Sequence, residues 1–201
     1  MTSTVKSPSG KVLHHRATMN TTPKENAEAK LVRIRKTQSD RLEENRESLK
    51  NANVKAFLQA IADAEGGGYD FKYGAVKGKK NDPWRFTDFS KHPGPGSGGK
   101  TTASGMYQIT MDTWKDHGTT RMGLTDFTPE TQDLIATDIL RSLGVIEKIK
   151  LGDIAASMPQ ASTRWAALPQ GPGKANKYPP QPYVTYDHFI EAYKNCGGKV
   201  Q

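Results

Sequence analysis

The sequence predicts an α+β fold: a mainly helical lobe and one small antiparallel sheet lobe, preceded by an N-terminal extended arm and helix. Three observations carry the prediction. Val54, Phe57, Leu58, Ile61 and Ala62 recur at the three-four spacing of one helix face. Tyr69, Phe71 and Tyr73 then alternate with the period of a strand, and residues 78–81 read as a turn. Beyond Asp126 or Thr128, either of which could cap it, the helical period returns, with Pro129 in a first turn and Gly144 after the last apolar position.

Residues 1–22 are rich in Ser, Thr and Lys, lack a hydrophobic period and read as an extended arm. Residues 23–50 carry strong helix formers and interleaved charges, with Pro23 suited to a helix start. Leu31, Ile34, Leu42 and Leu49 give this helix only a thin apolar stripe. The first 50 residues hold eleven Lys/Arg against six Asp/Glu, so +5 of the net +8 lies there. Two domains are expected: a basic extension over 1–52 that docks on a partner, and a main domain over 53–201.

The helix over 53–65 carries the most informative residue. Counting on from Val54, Glu65 returns to the apolar face in the last turn, whereas Asp63 turns to solvent. Gly66, Gly67 and Gly68 stop the helix. Desolvation and the negative end of the helix dipole both raise the pKa of a carboxyl group placed there. A carboxyl kept protonated near neutral pH is what a general acid requires.

Residues 69–92 make the sheet or hairpin lobe, with Trp84, Phe86 and Phe89 after the turn, and 93–100 a flexible loop. Residues 101–109 lead into a helix through Trp114. The helix closed by Gly144 buries Leu134, Ile135, Ile139 and Leu143, and a short helix follows over 145–149. Asp153 caps a segment bent at Pro159, and 160–168 form a helix carrying Trp165. A Pro/Gly-rich loop over 169–183 precedes a last helix that Thr185 starts and Gly197 ends.

Net charge +8 and a pI near 9.5 favour an anionic partner: nucleic acid, acidic lipid or an acidic polymer such as a bacterial cell wall. The arm has no aromatic residue on which bases could stack, which argues against nucleic acid. Residues 69–100 are aromatic and hold seven Lys/Arg against three Asp, which suits an anionic glycan. Cys196 stands alone, so no intrachain disulfide forms, and it reads as a small packing residue. The five histidines show no ligand spacing, and neither a metal nor another cofactor is expected. No run has the length of a membrane span, and no apolar stretch follows the basic N-terminal residues as in a signal peptide. The chain is therefore expected to start in a cytoplasm.

Seven phrases in order, AFLQAIADAEGG, GYDFKYG, FTDFSKHPG, TASGMYQIT, MGLTDFTPETQD, LGDI and RWAALP, resemble the lysozymes of phage lambda and its relatives. The resemblance covers roughly residues 53–198 and leaves out the extension and the loop at 169–183. It implies a lysozyme-like fold with a glycan cleft between the two lobes. It also implies lytic transglycosylase activity on peptidoglycan glycan strands, cutting the β-1,4 bond from N-acetylmuramic acid to N-acetylglucosamine and leaving a 1,6-anhydromuramic end. Glu65 falls where the family has its catalytic glutamate.

Ser104, Gly105, Met106, Tyr107 and Gln108 resemble the Gly-x-x-Gln turn of many transglycosylases. Gln108 is expected to bind an N-acetyl group or position the acid, with Ser104 and Tyr107 as candidates beside it on the substrate side, Tyr107 reading more as a packing residue. Trp84 is a candidate for stacking on a sugar, whereas Trp114 and Trp165 are expected in the core. Asp88, and more weakly Asp70, could line the site or only cap a turn. Were Asp88 a base or nucleophile, the product would be a reducing sugar. The extension favours a virion-associated enzyme of the phage tail or baseplate, held to structural proteins through residues 1–52 and acting in the host periplasm. The alternatives are a free endolysin released from the host cytoplasm, and a binding module with a vestigial fold.

Overall fold

The computed structural model describes Ser9 and residues 26–201. The expected arm, Ser9 apart, and the expected helix start at Pro23 lie outside the described residues. Two compact units divide between Ile34 and Arg35. The first unit includes the opening turns of helix α1 (Ala27–Lys50). Asn26 caps that helix, its Oδ1 accepting from Ala29 N at 2.7 Å. Leu31 and Val32 are exposed there.

Residues 35–50 of α1 belong to the second unit: Leu42 and Leu49 pack against its hydrophobic core, and polar residues beside them are engaged. Asn45 and Ser48 are 0 % exposed. Arg41 Nε and Asn45 Nδ2 both donate to Oδ1 of Asp138, at 2.5 and 2.9 Å. His117 Nδ1 bonds the other carboxylate oxygen at 2.8 Å. Arg141 Nε closes the network on Asn45 Oδ1 at 2.8 Å. A buried carboxylate is tolerated only when saturated by donors in this way.

Helix α2 (Ala52–Glu65) runs through the centre of the second unit. Asn51 caps it, accepting from the N–H groups of Asn53 and Val54, and Gly66 ends it in the left-handed region at φ 63°. Val54, Phe57 and Ile61 are completely buried, as the helical spacing requires. Each such side chain stabilises the fold by about 1.5–3 kcal/mol. Phe57 meets Phe189 of α7 (Tyr186–Asn195) edge to face, with centroids 5.1 Å apart. Asp63 is exposed as expected, and its carboxylate lies 2.7 Å from His188 Nε2 of α7.

The sheet lobe is reduced to isolated antiparallel bridges, Phe71 with Arg85, Lys72 with Ser104, and Ser104 with Ile109; no strand forms among the described residues. The segment at 70–73 bonds on both sides: Lys72 N donates to Trp84 O, Phe86 N to Asp70 O, and Tyr73 N to Ala103 O. Left-handed backbone at Gly74, Asn81, Gly105 and Gln108 interrupts each ladder before a second bridge can extend it. The alternation of aromatics marked the pairing without the length.

The helix expected through Trp114 forms after residue 110 and changes type at Trp114. α3 (Met111–Thr113) continues as a π-helix over Trp114–Thr120. Gln38 Nε2 donates to the carbonyls of Thr119 and Thr120 at the end of that wide turn. α4 (Pro129–Ser142) starts on a Thr128 cap and is followed by α5 (Ile146–Leu151). The helix expected over 160–168 is only α6 (Met158–Ala161); turns carry the chain on past Trp165. No helix among the described residues is long and apolar enough to cross a membrane.

Candidate active site

Glu65 is the last residue of α2, half-buried at the mouth of a cleft of about 680 Å³. One wall comes from residues 71–75 and 100–110, the other from residues 164–166 and Gln181. The cleft continues past Gln108, Thr110 and Arg164 into a smaller recess of about 240 Å³. Burial raises the Glu65 pKa to about 7, and one long hydrogen bond from Ala167 N, at 3.4 Å, opposes that rise weakly. No ion pair among the described residues includes Glu65, and burial is the larger effect on its pKa.

The second wall holds its shape through the backbone. Trp165 Nε1 donates to Tyr107 O at 3.2 Å, and Asn176 Nδ2 donates to Ala166 O at 2.9 Å. Trp165 is 3 % exposed, so it is core as expected, yet its visible edge lines the cleft.

The Gly-x-x-Gln turn lies directly against the end of α2. A Cβ on Gly67 would run into the carbonyls of Gly105 and Met106. Gly105 has φ 79°, and a Cβ there would overlap the Gln132 amide. Gln132, fully buried in α4, accepts from Met106 N at 2.9 Å and donates to Tyr69 O and Phe127 O. This one amide ties together three loops around the cleft. It was not among the expected site residues, since a Gln in PETQDL reads as helix surface.

Of the expected residues, Gln108 lines the cleft with Glu65. It holds a left-handed backbone at φ 49°, and its Nε2 donates to Gly105 O at 3.1 Å. A non-glycine residue in that region costs about 1–3 kcal/mol and persists only where its surroundings fix it. Tyr107 borders the cleft but is 1 % exposed, with its hydroxyl donating to Asp133 at 2.7 Å; it supports the wall. Tyr69 donates to the same carboxylate oxygen at 2.9 Å.

Ser104 is fully buried and donates to Thr102 O, so it does not face the cleft. Asp88 does not line the cleft either. It accepts from Ser90 N at 2.8 Å in an exposed turn, and bonds from Ser90 hold its pKa below the usual carboxylate range. Asp70 pairs with Arg85. Trp84 is half-buried beside Gly74 and also lies off the cleft wall. Lys72, Lys100 and Arg164 do line it; the overall charge of the lobe had hinted at the two lysines, and nothing had singled out Arg164. Among the described residues no group of three or more His, Cys, Asp and Glu is arranged to hold a metal ion.

Comparison with known proteins agrees with this geometry. The family model described as Endolysin matches residues 55–200. The chain is 31 % identical over 171 residues to the endolysin of Escherichia phage lambda, covering 75 % of this chain and 95 % of that protein. It is 34 % identical over 164 residues to the endolysin of Escherichia phage P2, covering 73 % and 93 %. In three dimensions it is similar to bacteriophage lambda lysozyme complexed with a chitohexasaccharide, at TM-score 0.62 and 30 % identity over 75 % of this chain and 97 % of that one. A second structure of the lysozyme from bacteriophage lambda gives TM-score 0.58 and 29 % identity, with the same coverage.

Proposed function

We propose, from the premise that this chain belongs to the endolysin family, that it cleaves the glycan strands of peptidoglycan by transglycosylation, with Glu65 as acid and then as base. Family membership supplies the coarse activity, a peptidoglycan-cleaving phage enzyme. The observation supporting the finer mechanism is that Glu65 is the one carboxyl group among the residues lining the cleft. Glycosidases that add water normally use two carboxyl groups flanking the bond.

A single carboxyl group suffices when the substrate supplies its own nucleophile. Protonated Glu65 gives its proton to the glycosidic oxygen, and the bond from that oxygen to muramic C1 breaks. The resulting carboxylate then takes the proton of the muramic C6 hydroxyl as that oxygen bonds to C1. The proton lost in the first step is regained in the second, and no water is consumed. A pKa near 7 suits both halves of the cycle. Gln108 sits where it can hold the sugar against Glu65.

Mass analysis of digested peptidoglycan tests the mechanism. Muramic ends lighter than the hydrated product by one water are expected. Reducing ends would reject it and direct attention to a hydrolytic water.

For placement, the free-endolysin reading is favoured over the tail. Both relatives above carry the name endolysin. Residues 35–50 of the extension make contacts within the second unit, which gives them a use other than docking. Detection of the protein in purified phage particles by mass spectrometry would reverse that placement.

A further inference from the structure

We infer that Lys72, Lys100 and Arg164 form a cationic rim that recognises carboxylates carried by the glycan strand, which makes the cleft selective for anionic over neutral polymers. The inference rests on the glycan-cleaving reading and adds the charge of the substrate to it. Lys72, Lys100 and Arg164 come from three separate stretches of the chain and line the same cleft.

Arg41, Arg85, Arg121 and Arg141 each pair with an acidic side chain. No ion pair among the described residues includes Lys72, Lys100 or Arg164. Other lysines of the second unit, Lys77 and Lys115 among them, also make no ion pair; what Lys72, Lys100 and Arg164 share is one cleft. Arg164 reaches only Thr113 Oγ1, at a marginal 3.5 Å. The sole acid in the lining, Glu65, is held largely protonated below pH 7 and offers these cations little negative charge. Three cations outside any ion pair, lining one cleft, present a positive field to whatever enters it.

Peptidoglycan supplies the matching charge in two ways. Muramic acid bears a lactyl carboxylate when its peptide is absent, and the peptide stem bears carboxylates when present. Chitin-type strands of N-acetylglucosamine carry neither. Three exposed charge pairs, each modest and screened by salt, together give a preference of about tenfold at low ionic strength.

Binding is measured by calorimetry on the full chain carrying E65Q, which holds substrate without cleaving it. The probes are amidase-stripped strands with free lactyl carboxylates, strands with intact stems, and neutral chitohexaose. At least one charged probe is expected to bind about tenfold more tightly than chitohexaose, and which one does so locates the carboxylate. Adding K72Q, K100Q and R164Q is expected to bring that ratio to about one. Chitohexaose binding by this variant reports that the cleft is still folded. Equal affinity for all three probes, or a ratio that survives the triple substitution, overturns the inference. Failure of the glycan-cleaving reading would appear separately, as no glycan fragments released from cell walls by the unsubstituted enzyme.

Discussion

The E65Q variant is expected to lose wall-lysing activity by about 10²–10⁴-fold while becoming more stable above pH 7. The two effects have one cause. Burial raises the Glu65 pKa to about 7, well above the ordinary carboxyl value. In the unfolded chain the group ionises near pH 4.5; in the folded chain it stays protonated until about pH 7. Stability associated with the neutral carboxyl is therefore fully present below pH 4.5 and is lost as pH rises through 7.

Gln removes this pH dependence. At pH 8 the variant should gain on the order of 2–3 kcal/mol, discounted for the side chain's partial exposure. Below pH 4.5 the gain should vanish. The unsubstituted enzyme should in turn lose its acid form, and with it activity, as pH rises through about 7. Denaturant unfolding at pH 4 and pH 8 and a turbidity assay check both halves. An active E65Q rejects the catalytic role. An inactive variant that is less stable at pH 8 would mean that the substitution damaged the fold.

The second large effect lies away from the cleft. Asp138→Ala is expected to destabilise the second unit by about 3–5 kcal/mol, because it leaves donors buried without their acceptor. Burial pushes the Asp138 pKa up, but the hydrogen bonds from His117, Arg41 and Asn45 outweigh it and hold the group below the usual carboxylate range. Stability contributed by this carboxylate is present above its unfolded pKa and lost as pH falls through the folded one. Chemical denaturation at neutral pH measures the effect. A loss under about 1 kcal/mol would show that the network is replaceable by water. The same network forecasts that cutting the chain after residue 50 harms the catalytic unit, whereas cutting at 34 spares it.

Glu65 was legible because two periodicities conflict at one residue: an acid where the helical count calls for an apolar group. The caps at Thr128 and Thr185 were legible because hydroxyl side chains there have one dominant use. The sheet lobe was over-read. Alternating Tyr69, Phe71 and Tyr73 signal extended chain, but pattern alone does not reveal that left-handed backbone at Gly74 and Gly105 breaks the ladder. The role of residues 35–50 was hidden because Arg41, Asn45 and Ser48 look like a solvated face until Asp138, over 90 positions away, is brought beneath them. Ser104 and Asp88 were credited with roles near substrate for their place in the sequence, and folding turned one inward and the other away.

The closure of α2 has a consequence for the order of synthesis. Phe57 is covered by Phe189, and Asn53 Oδ1 accepts from Lys199 N, 146 positions later. A helix of 14 residues is marginal by itself in water. A ribosome that has just added Glu65 has thus made the acid but none of the surface that keeps it protonated. Lysis competence arises when the last of these distant segments clears the exit tunnel and the domain closes as a unit, so nascent and 3′-truncated products carry the glutamate without the enzyme.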